Sequence, residues 1–227
     1  MIASISSKIK TMNIDTIIFD LDDTLYPSSS GIWALIRARI DKFMIEKLNY
    51  AEHEVPTTRE KFFKEFGTTL RGLESVHHID PVEYLKFVHE IPLNKHLFPN
   101  TQLQEILHKI PLKKVIFTNG DRWHSKRVTD RLNISHFFEE TVDILDVSPY
   151  CKPMDEAFNL AFQKLGITNP NNALLIDDNI RNIQAAKRLG LNTILVSENG
   201  HNGDQDLIKI RRIEDLESVF QILDISE

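Results

Sequence analysis

The sequence predicts an α/β protein: a Rossmann-like parallel sheet with helices on both faces and a small all-α insertion after the first strand. Three observations carry this prediction. Short runs of β-branched and aromatic residues recur along the chain, segments with apolar residues at helical spacing separate them, and polar clusters follow several runs directly. Such alternation is typical of parallel strands joined by right-handed crossovers.

The first strand is predicted at Thr16–Phe19, and only helical patterns follow it until the chain returns to the sheet. Four helices are marked by apolar residues at helical spacing or by a capping residue before them. The markers are the apolar residues between Ile32 and Leu48, then Phe62, Phe63 and Phe66, then the cap pair Asp80 and Pro81, and then Asn100. The first three helices are expected to form a separate small bundle.

Later in the chain, strand and helix patterns alternate. Strands are predicted at 115–117, 173–176 and 192–196, and helices at about 122–132, 154–165, 180–189 and 206–223. The expected division is therefore an α/β core formed by residues 1–25 and 100–227, with a helical domain at 26–99. Residues 1–14 read as a mobile tail.

Composition excludes several classes of function. The formal net charge is −6, and the lysines and arginines are scattered, so we expect no binding of nucleic acid polymers. No apolar run approaches the length of a membrane span, and no membrane association is expected. Cys151 is the only cysteine, which excludes an internal disulfide and favours a cytoplasmic location.

Polar side chains follow three of the predicted strands directly, and a lysine precedes one of the helices. Because parallel strands end at one edge of a sheet, we expect these side chains to converge. They are Asp20 and Asp22 after the first strand, Thr118 and Asn119 after the second, Asp177 and Asp178 after the third, and Lys152, which with Pro153 leads into the helix near 154.

Carboxylates from two strands form the oxygen-rich, incomplete shell that Mg²⁺ accepts in proteins. Thr118 and Asn119 offer hydrogen-bond donors, and Lys152 offers a compact positive charge. Together these groups indicate a site for phosphoryl transfer. Taken singly, each cluster also fits a plain turn, a helix cap or a surface lysine. His77, His78, His89 and His96 match no common zinc spacing, and no histidine is expected at the strand ends.

These residues resemble the four motifs of the haloacid dehalogenase superfamily of aspartyl phosphotransferases. The first motif, Asp-x-Asp-x-Thr, is similar to Asp20-Leu21-Asp22-Asp23-Thr24. The resemblance implies that Asp20 is the nucleophile and Asp22 the general acid and base. It also implies phosphate contacts from Thr118, Asn119 and Lys152. Mg²⁺ would be held by Asp20, the backbone carbonyl of Asp22, and the pair Asp177 and Asp178, of which Asp178 is favoured for the direct bond.

The family includes dehalogenases, but a halide leaves without a proton, whereas an alkoxide needs one. Because Asp22 is present, a phosphate ester is the expected substrate. The helical segment 26–99 resembles the cap of this superfamily, and its Tyr26, Thr68 and Arg71 are expected near the substrate. The stretch Gly67–Leu73 is interpreted as a cap loop, with a helix-ending turn as the alternative.

The segments Tyr26–Ile32 and Phe66–Leu73 are similar to the pyrimidine 5'-nucleotidase-like branch of fungi and plants. This resemblance implies a pyrimidine nucleoside 5'-monophosphate as the small-molecule partner. A phosphatase for sugar or lipid-like phosphates and a catalytically silent binding protein on the same fold are the alternatives.

Overall fold

The structure is a computed structural model that describes residues 13–198 and 207–223. Its six strands form one sheet. They are β1 (Thr16–Phe19), β2 (Lys113–Phe117), β3 (Glu140–Val142), β4 (Ala173–Asp177), β5 (Asn192–Val196) and β6 (Ile208–Ile210). The predicted segment 1–14 lies almost wholly outside the described residues.

Nine α-helices occur in the described ranges, five of them between β1 and β2. Those five are α1 (Ile32–Leu48), α2 (Val55–Phe66), α3 (Thr69–His77), α4 (Pro81–Val88) and α5 (Thr101–Lys109). The others are α6 (Arg122–Leu132), α7 (Asp155–Leu165), α8 (Ile180–Arg188) and α9 (Leu216–Leu223). Asp80 and Asn100 cap α4 and α5 as predicted, since their side chains accept hydrogen bonds from Val82 N and Leu103 N.

The strand order is β3-β2-β1-β4-β5-β6, and every pairing is parallel. The predicted α/β fold with a parallel sheet is therefore confirmed. The chain moves outward from β1 through β2 and β3 and then returns to the other side of β1 at β4. Open α/β sheets bind their ligands at such a reversal, beyond the carboxyl ends of the strands.

Each face of the sheet packs against helices, because successive residues of a strand point to opposite faces. In β1, Ile17 and Phe19 join one buried apolar cluster and Ile18 joins the other. The first cluster includes residues of α1–α6 and α9, and the second includes residues of α7 and α8. A sheet buried on both sides explains why the strands read as continuous apolar runs.

Three elements differ from the prediction. The segment expected as one helix over 206–223 contains β6 at Ile208–Ile210 before α9, and residue 206 lies outside the described residues. The sequence does not predict β3, because its three residues are too few to show the alternation of side chains that marks a strand. β3 pairs with β2 along all three residues. α3 occupies the stretch interpreted as a cap loop, because Gly67 ends α2 at φ 84° and Thr68 caps the next helix.

In the part of the chain that the structure describes, none of the helices combines the length and the apolar character that crossing a membrane requires. The division into a core of 1–25 and 100–227 and a cap of 26–99 stays a prediction.

Candidate active site

The site begins where β1 and β4 end side by side. Phe19 pairs with Ile176, so the next residues, Asp20 and Asp177, are neighbours across the two strands. The Asp20 backbone N–H donates to Ile176 O at 2.9 Å, which extends the ladder to the first acidic residue. The structure thus brings together the carboxylates that the sequence placed at separate strand ends.

Lys152 lies at the centre of this cluster with its side chain buried. Its Nζ donates to Asp20 Oδ1 at 2.7 Å, to Asp177 Oδ2 at 2.8 Å and to Phe117 O at 2.7 Å, which uses all three ammonium hydrogens. Burial lowers the pKa of Lys152, but the carboxylates of Asp177 and Asp20 raise it more, and the net shift is upward. Lys152 is therefore a permanent cation that lies between two carboxyl groups.

Asp177 and Asp178 are adjacent in sequence, but their surroundings differ. Asp177 accepts hydrogen bonds from Lys152 and from Asn179 N at 2.8 Å, and Asn182 Nδ2 donates to both of its oxygens at 3.0 Å. Asp178 accepts only a 3.3 Å bond from the Thr24 hydroxyl among the described residues. Asp177 is consequently fixed in place by its donors, whereas Asp178 keeps oxygen lone pairs for another ligand.

Asp20, Asp177 and Asp178 each offer a carboxylate oxygen, and these three oxygens lie within 4.8 Å of one another. Burial, together with repulsion from Asp177, raises the pKa of Asp20 to about 7 although Lys152 opposes the shift. Burial and repulsion from Asp20 and Asp177 raise the pKa of Asp178 to about 8. One ammonium does not balance three crowded carboxylates, and an all-oxygen donor set suits a hard divalent cation. The residues present therefore fit Mg²⁺.

Asp22 is held by two donors that reach the same oxygen. The Tyr26 hydroxyl donates to Oδ1, and His124 Nε2 lies 2.8 Å from it. Burial raises the pKa of Asp22, but His124 and Tyr26 lower it by more than burial raises it, and the resulting pKa is about 2. Tyr26, which was predicted to lie near the substrate, is thus in contact with the carboxylate expected to act as acid and base.

His124 was missed at the sequence level, where no histidine was expected at the strand ends. It lies in the first turn of α6, the helix that starts just after Thr118-Asn119-Gly120, and its side chain is fully buried. Its position after a strand end was the available signal. The sequence position of a histidine in the first turn of a helix does not give the direction of its ring. The rotation of the helix about its axis decides whether the ring faces the site or the solvent.

Thr118 and Asn119 occupy the predicted edge but make different contacts. The Asn119 carboxamide makes two hydrogen bonds to the backbone of Lys152. Its Oδ1 accepts from Lys152 N at 2.9 Å, and its Nδ2 donates to Lys152 O at 3.0 Å. The amide expected to contact phosphate therefore holds the lysine loop. The Thr118 hydroxyl oxygen accepts from Gly120 N at 2.9 Å, and its hydrogen goes to no described residue.

Thr68 and Arg71 do not behave as residues of a substrate loop. Thr68 Oγ1 accepts from Arg71 N at 3.1 Å as the cap of α3. Every guanidinium hydrogen of Arg71 has an acceptor within the chain, so the arrangement does not support a contact between Arg71 and the substrate. The acceptors are Tyr150 O, Ile144 O, Ser148 Oγ and the Glu74 carboxylate. Arg71 instead joins the inserted helices to the loop that carries Lys152.

The helix after Lys152 begins at Asp155, one residue after the predicted start at about 154. Lys152 therefore lies in a loop, and its fixed position depends on Asn119 and Arg71. Cys151 is buried beside it, and a Cβ added at Gly67 would lie only 2.7 Å from its Sγ. The turn between α2 and α3 consequently packs closely on the lysine loop.

Residues 14–190 match the model of the haloacid dehalogenase-like hydrolase family. A curated protein of Saccharomyces cerevisiae, phosphate metabolism protein 8, is 28% identical over 191 residues, which cover 78% of this chain. The chain spans about 60% of the length of that relative.

Solved structures share the fold. A HAD phosphatase from Thermococcus onnurineus has a TM-score of 0.59 at 19% identity, over 91% of this chain and 98% of its own. The HAD-hydrolase YfnB from Bacillus subtilis, solved with bound magnesium, has a TM-score of 0.58 at 19% identity, over 93% of this chain and 99% of its own. A 2-haloacid dehalogenase from Pseudomonas syringae pv. Tomato has a TM-score of 0.58 at 18% identity, over 92% of this chain and 98% of its own. Likeness at this level of identity concerns the fold alone.

Proposed function

Because this chain belongs to the haloacid dehalogenase-like hydrolase family, we propose that it is a magnesium-dependent phosphatase that hydrolyses small phosphate monoesters through an aspartyl-phosphate at Asp20. One observation carries the proposal. A second carboxylate, Asp22, lies two residues after the proposed nucleophile and is oriented by two hydrogen-bond donors. A phosphate ester needs such a group, because its alkoxide leaving group must receive a proton.

In the proposed reaction, a carboxylate oxygen of Asp20 attacks phosphorus and the phosphorus–oxygen ester bond breaks. The electron pair of that bond stays on the leaving oxygen, which takes a proton from Asp22. Water then attacks phosphorus of the aspartyl-phosphate while Asp22 takes one of its protons, and the bond between phosphorus and the Asp20 oxygen breaks. Asp20 is restored as a carboxylate, and the proton on Asp22 leaves with the phosphate. Lys152 supplies positive charge beside Asp20, and the Thr118 hydroxyl is a donor for a phosphoryl oxygen.

The low pKa of Asp22, about 2, makes this carboxyl an anion in the free site. The proton that it passes on must therefore arrive with the substrate. A phosphate monoester has a second pKa near 6, so its monoanion carries a suitable proton at weakly acidic pH. Asp22 would act as a relay from this proton to the leaving oxygen.

Asp20, Asp178 and the backbone carbonyl of Asp22 are the groups that we expect to bind Mg²⁺ directly. Asp177 would contribute mainly by its charge and by orienting Lys152, because its oxygens already accept four hydrogen bonds. When bound, the cation would neutralise phosphoryl charge and the repulsion between the substrate and Asp20.

Dehalogenation is the competing reaction, since a 2-haloacid dehalogenase shares the fold. A departing halide needs no proton, and a haloacid brings less negative charge than a phosphate ester. A dehalogenase would have no use for a clamped second carboxylate or for three crowded acidic residues. The contents of the site therefore favour phosphate esters.

For the natural substrate, we propose a pyrimidine nucleoside 5'-monophosphate such as UMP or CMP, with residues 26–99 acting as the cap. Support comes from the similarity of Tyr26–Ile32 and Phe66–Leu73 to the nucleotidase-like branch, and from the position of Tyr26, which donates a hydrogen bond to Asp22. A sugar or lipid-like phosphate is the alternative substrate.

A panel of phosphate esters tests both levels of the proposal. Wild type, Asp20→Asn and Asp130→Asn would be assayed for phosphate release from UMP, CMP, a sugar phosphate, a lysophospholipid phosphate and an aryl phosphate, with Mg²⁺ and with EDTA. Asp130 is a matched control because it lies on the exposed side of α6 in a surface ion pair with Lys126. We expect turnover by wild type and Asp130→Asn with Mg²⁺ only, and none by Asp20→Asn.

Equal turnover by Asp20→Asn, or turnover that survives EDTA, would contradict the proposed chemistry. Catalytic efficiency for UMP and CMP no higher than for the other esters would contradict the substrate choice but leave the phosphatase proposal intact. Binding of the esters without any turnover would identify a silent binding protein.

A further inference from the structure

We infer that His124 is a positioning residue for the acid–base carboxylate: with Tyr26 it clamps Oδ1 of Asp22, so that Oδ2 is the oxygen that exchanges protons with the leaving group and with water. The inference rests on the proposed function, because it assigns a task within the same site. It goes further by naming the reactive oxygen and a residue of α6 that sets it.

Both donors converge on one oxygen of Asp22. His124 Nε2 lies 2.8 Å from Oδ1, and the Tyr26 hydroxyl donates to the same atom. Among the described residues, none donates to Oδ2. A carboxyl oxygen that already accepts two hydrogen bonds has little capacity left for a proton, whereas its partner oxygen is open. The transferable proton therefore belongs on Oδ2.

The hydrogen bond to Asp22 also fixes which atom of His124 is the donor. The ring is fully buried, and its Nδ1 has no hydrogen-bond partner among the described residues. An ionised carboxylate cannot donate, so the hydrogen between the two residues belongs to Nε2. Among these residues, the ring is therefore oriented by one side-chain hydrogen bond, and that bond goes to Asp22 Oδ1.

Neighbouring groups prevent the ring from turning away. The His89 ring stacks on it with centroids 4.2 Å apart and planes 13° apart. His89 Nδ1 lies 2.6 Å from Asp121 Oδ2, and Asp121 Oδ1 accepts from His124 N at 2.8 Å. His89 follows α4 directly, and Asp121 caps α6. The orientation of Asp22 is therefore built from both the inserted helices and the sheet domain.

The test compares leaving groups in full-length protein with Mg²⁺. His124→Leu removes the donor at similar bulk, His124→Gln offers an amide N–H that can reach the same oxygen, and His108→Leu is the matched control on the exposed side of α5. The value of kcat/KM would be measured for an alkyl phosphate, which needs a proton donor, and for 2,4-dinitrophenyl phosphate, which does not.

We expect His124→Leu to lose at least about tenfold on the alkyl ester and less than about twofold on the dinitrophenyl ester, since general acid catalysis contributes about 10²–10⁴-fold. His124→Gln should recover most of the loss, and His108→Leu should match wild type. Tyr26→Phe, a smaller change in volume, should give the same selective loss and keeps the test open if His124→Leu does not fold.

Equal losses on the two esters for both His124→Leu and Tyr26→Phe would overturn the inference, because a merely structural role would lower both rates together. No loss on either ester would overturn it as well. Failure of wild type to hydrolyse both esters would be a different result: it would overturn the proposed function, and the inference with it.

Discussion

The candidate site has two halves that are stabilised in different ways. The nucleophile half, named after the role proposed for Asp20, consists of Asp20, Lys152, Asp177 and Asp178 and crowds three carboxylates around one ammonium. The acid half, named after the role proposed for Asp22, consists of Asp22, Tyr26, His124 and His89, and two of these residues donate to the Asp22 carboxylate. The pKa of Asp20 is raised to about 7 and that of Asp178 to about 8, whereas that of Asp22 is lowered to about 2.

These opposite shifts have one cause: three carboxylates share one ammonium in the nucleophile half, whereas donors face one carboxylate in the acid half. We therefore expect metal and pH to act mainly on the first half. Leaving-group chemistry should depend on the second. Substitution of single residues in or next to the nucleophile half would test this difference between the two halves. The first substitution is at Lys152, the central residue.

Lys152→Met should have the largest effect. It leaves Asp20 and Asp177 buried without their shared cation, and the loss of one partner from a buried ion pair typically costs about 3–5 kcal/mol. The catalytic efficiency should fall on the order of 10³-fold. Urea unfolding and kinetics with Mg²⁺ would measure both effects. Lys126→Met, at a surface pair with Asp130, is the control and should change neither; a similar loss there would refute the distinction.

Arg71→Met should disturb the nucleophile half from outside. The variant removes five hydrogen bonds of a buried guanidinium, four of them to the segment that leads to Lys152, and we expect a loss of about 2–4 kcal/mol in the free energy of unfolding. Because Asp22 keeps both of its donors, the rates for alkyl and dinitrophenyl phosphates should fall by the same factor. A selective loss on the alkyl ester would mean that Arg71 serves the acid half instead.

Asp178→Asn should stabilise the metal-free protein at pH 8 while abolishing turnover. The raised pKa of Asp178, about 8 against 3.8 unfolded, means that the folded chain binds a proton there that the unfolded chain lacks. Stability that this proton provides is present at low pH and is lost as the pH rises toward 8. Asparagine removes the charge, and we expect a gain of roughly 1–2 kcal/mol, or about 2–8 °C in Tm.

Calorimetry of EDTA-treated wild type and Asp178→Asn at pH 5 and pH 8 would measure this difference. The difference in stability between the variant and wild type should be smaller at pH 5 than at pH 8. Mg²⁺ should stabilise wild type more than the variant. A variant that is less stable than wild type at pH 8 would show that repulsion in the nucleophile half is already relieved.

Thr24→Val should have the smallest effect. The Thr24 hydroxyl donates the one hydrogen bond, of 3.3 Å, that Asp178 receives from the described residues. Loss of a single long bond should cost about 1 kcal/mol or less of folding stability. Titration of Mg²⁺ by calorimetry should show an affinity change of less than about threefold. A much larger change would mean that Thr24, rather than charge, orients Asp178.

Much of the nucleophile half could be predicted from the sequence. Apolar runs such as Thr16–Phe19 identify buried strands, and parallel strands end at a common edge. This is enough to place Asp20 beside Asp177 without knowledge of any contact. The two missed strands, β3 and β6, have only three residues each, and so short a segment shows no clear period.

The sequence by itself determined the sheet, most helix boundaries and the convergence of acidic residues. The sheet and the helices depend on local periodicity, and the convergence depends on the rule that parallel strands end at one edge of a sheet. Only the tertiary structure decided which side chain serves which group. It turned Arg71 and Asn119 toward the lysine loop rather than a ligand, separated the roles of Asp177 and Asp178, and brought His124 to Asp22. Those contacts depend on helix rotation and on packing between residues up to 132 positions apart, as for Lys152 and Asp20, and no local pattern encodes them.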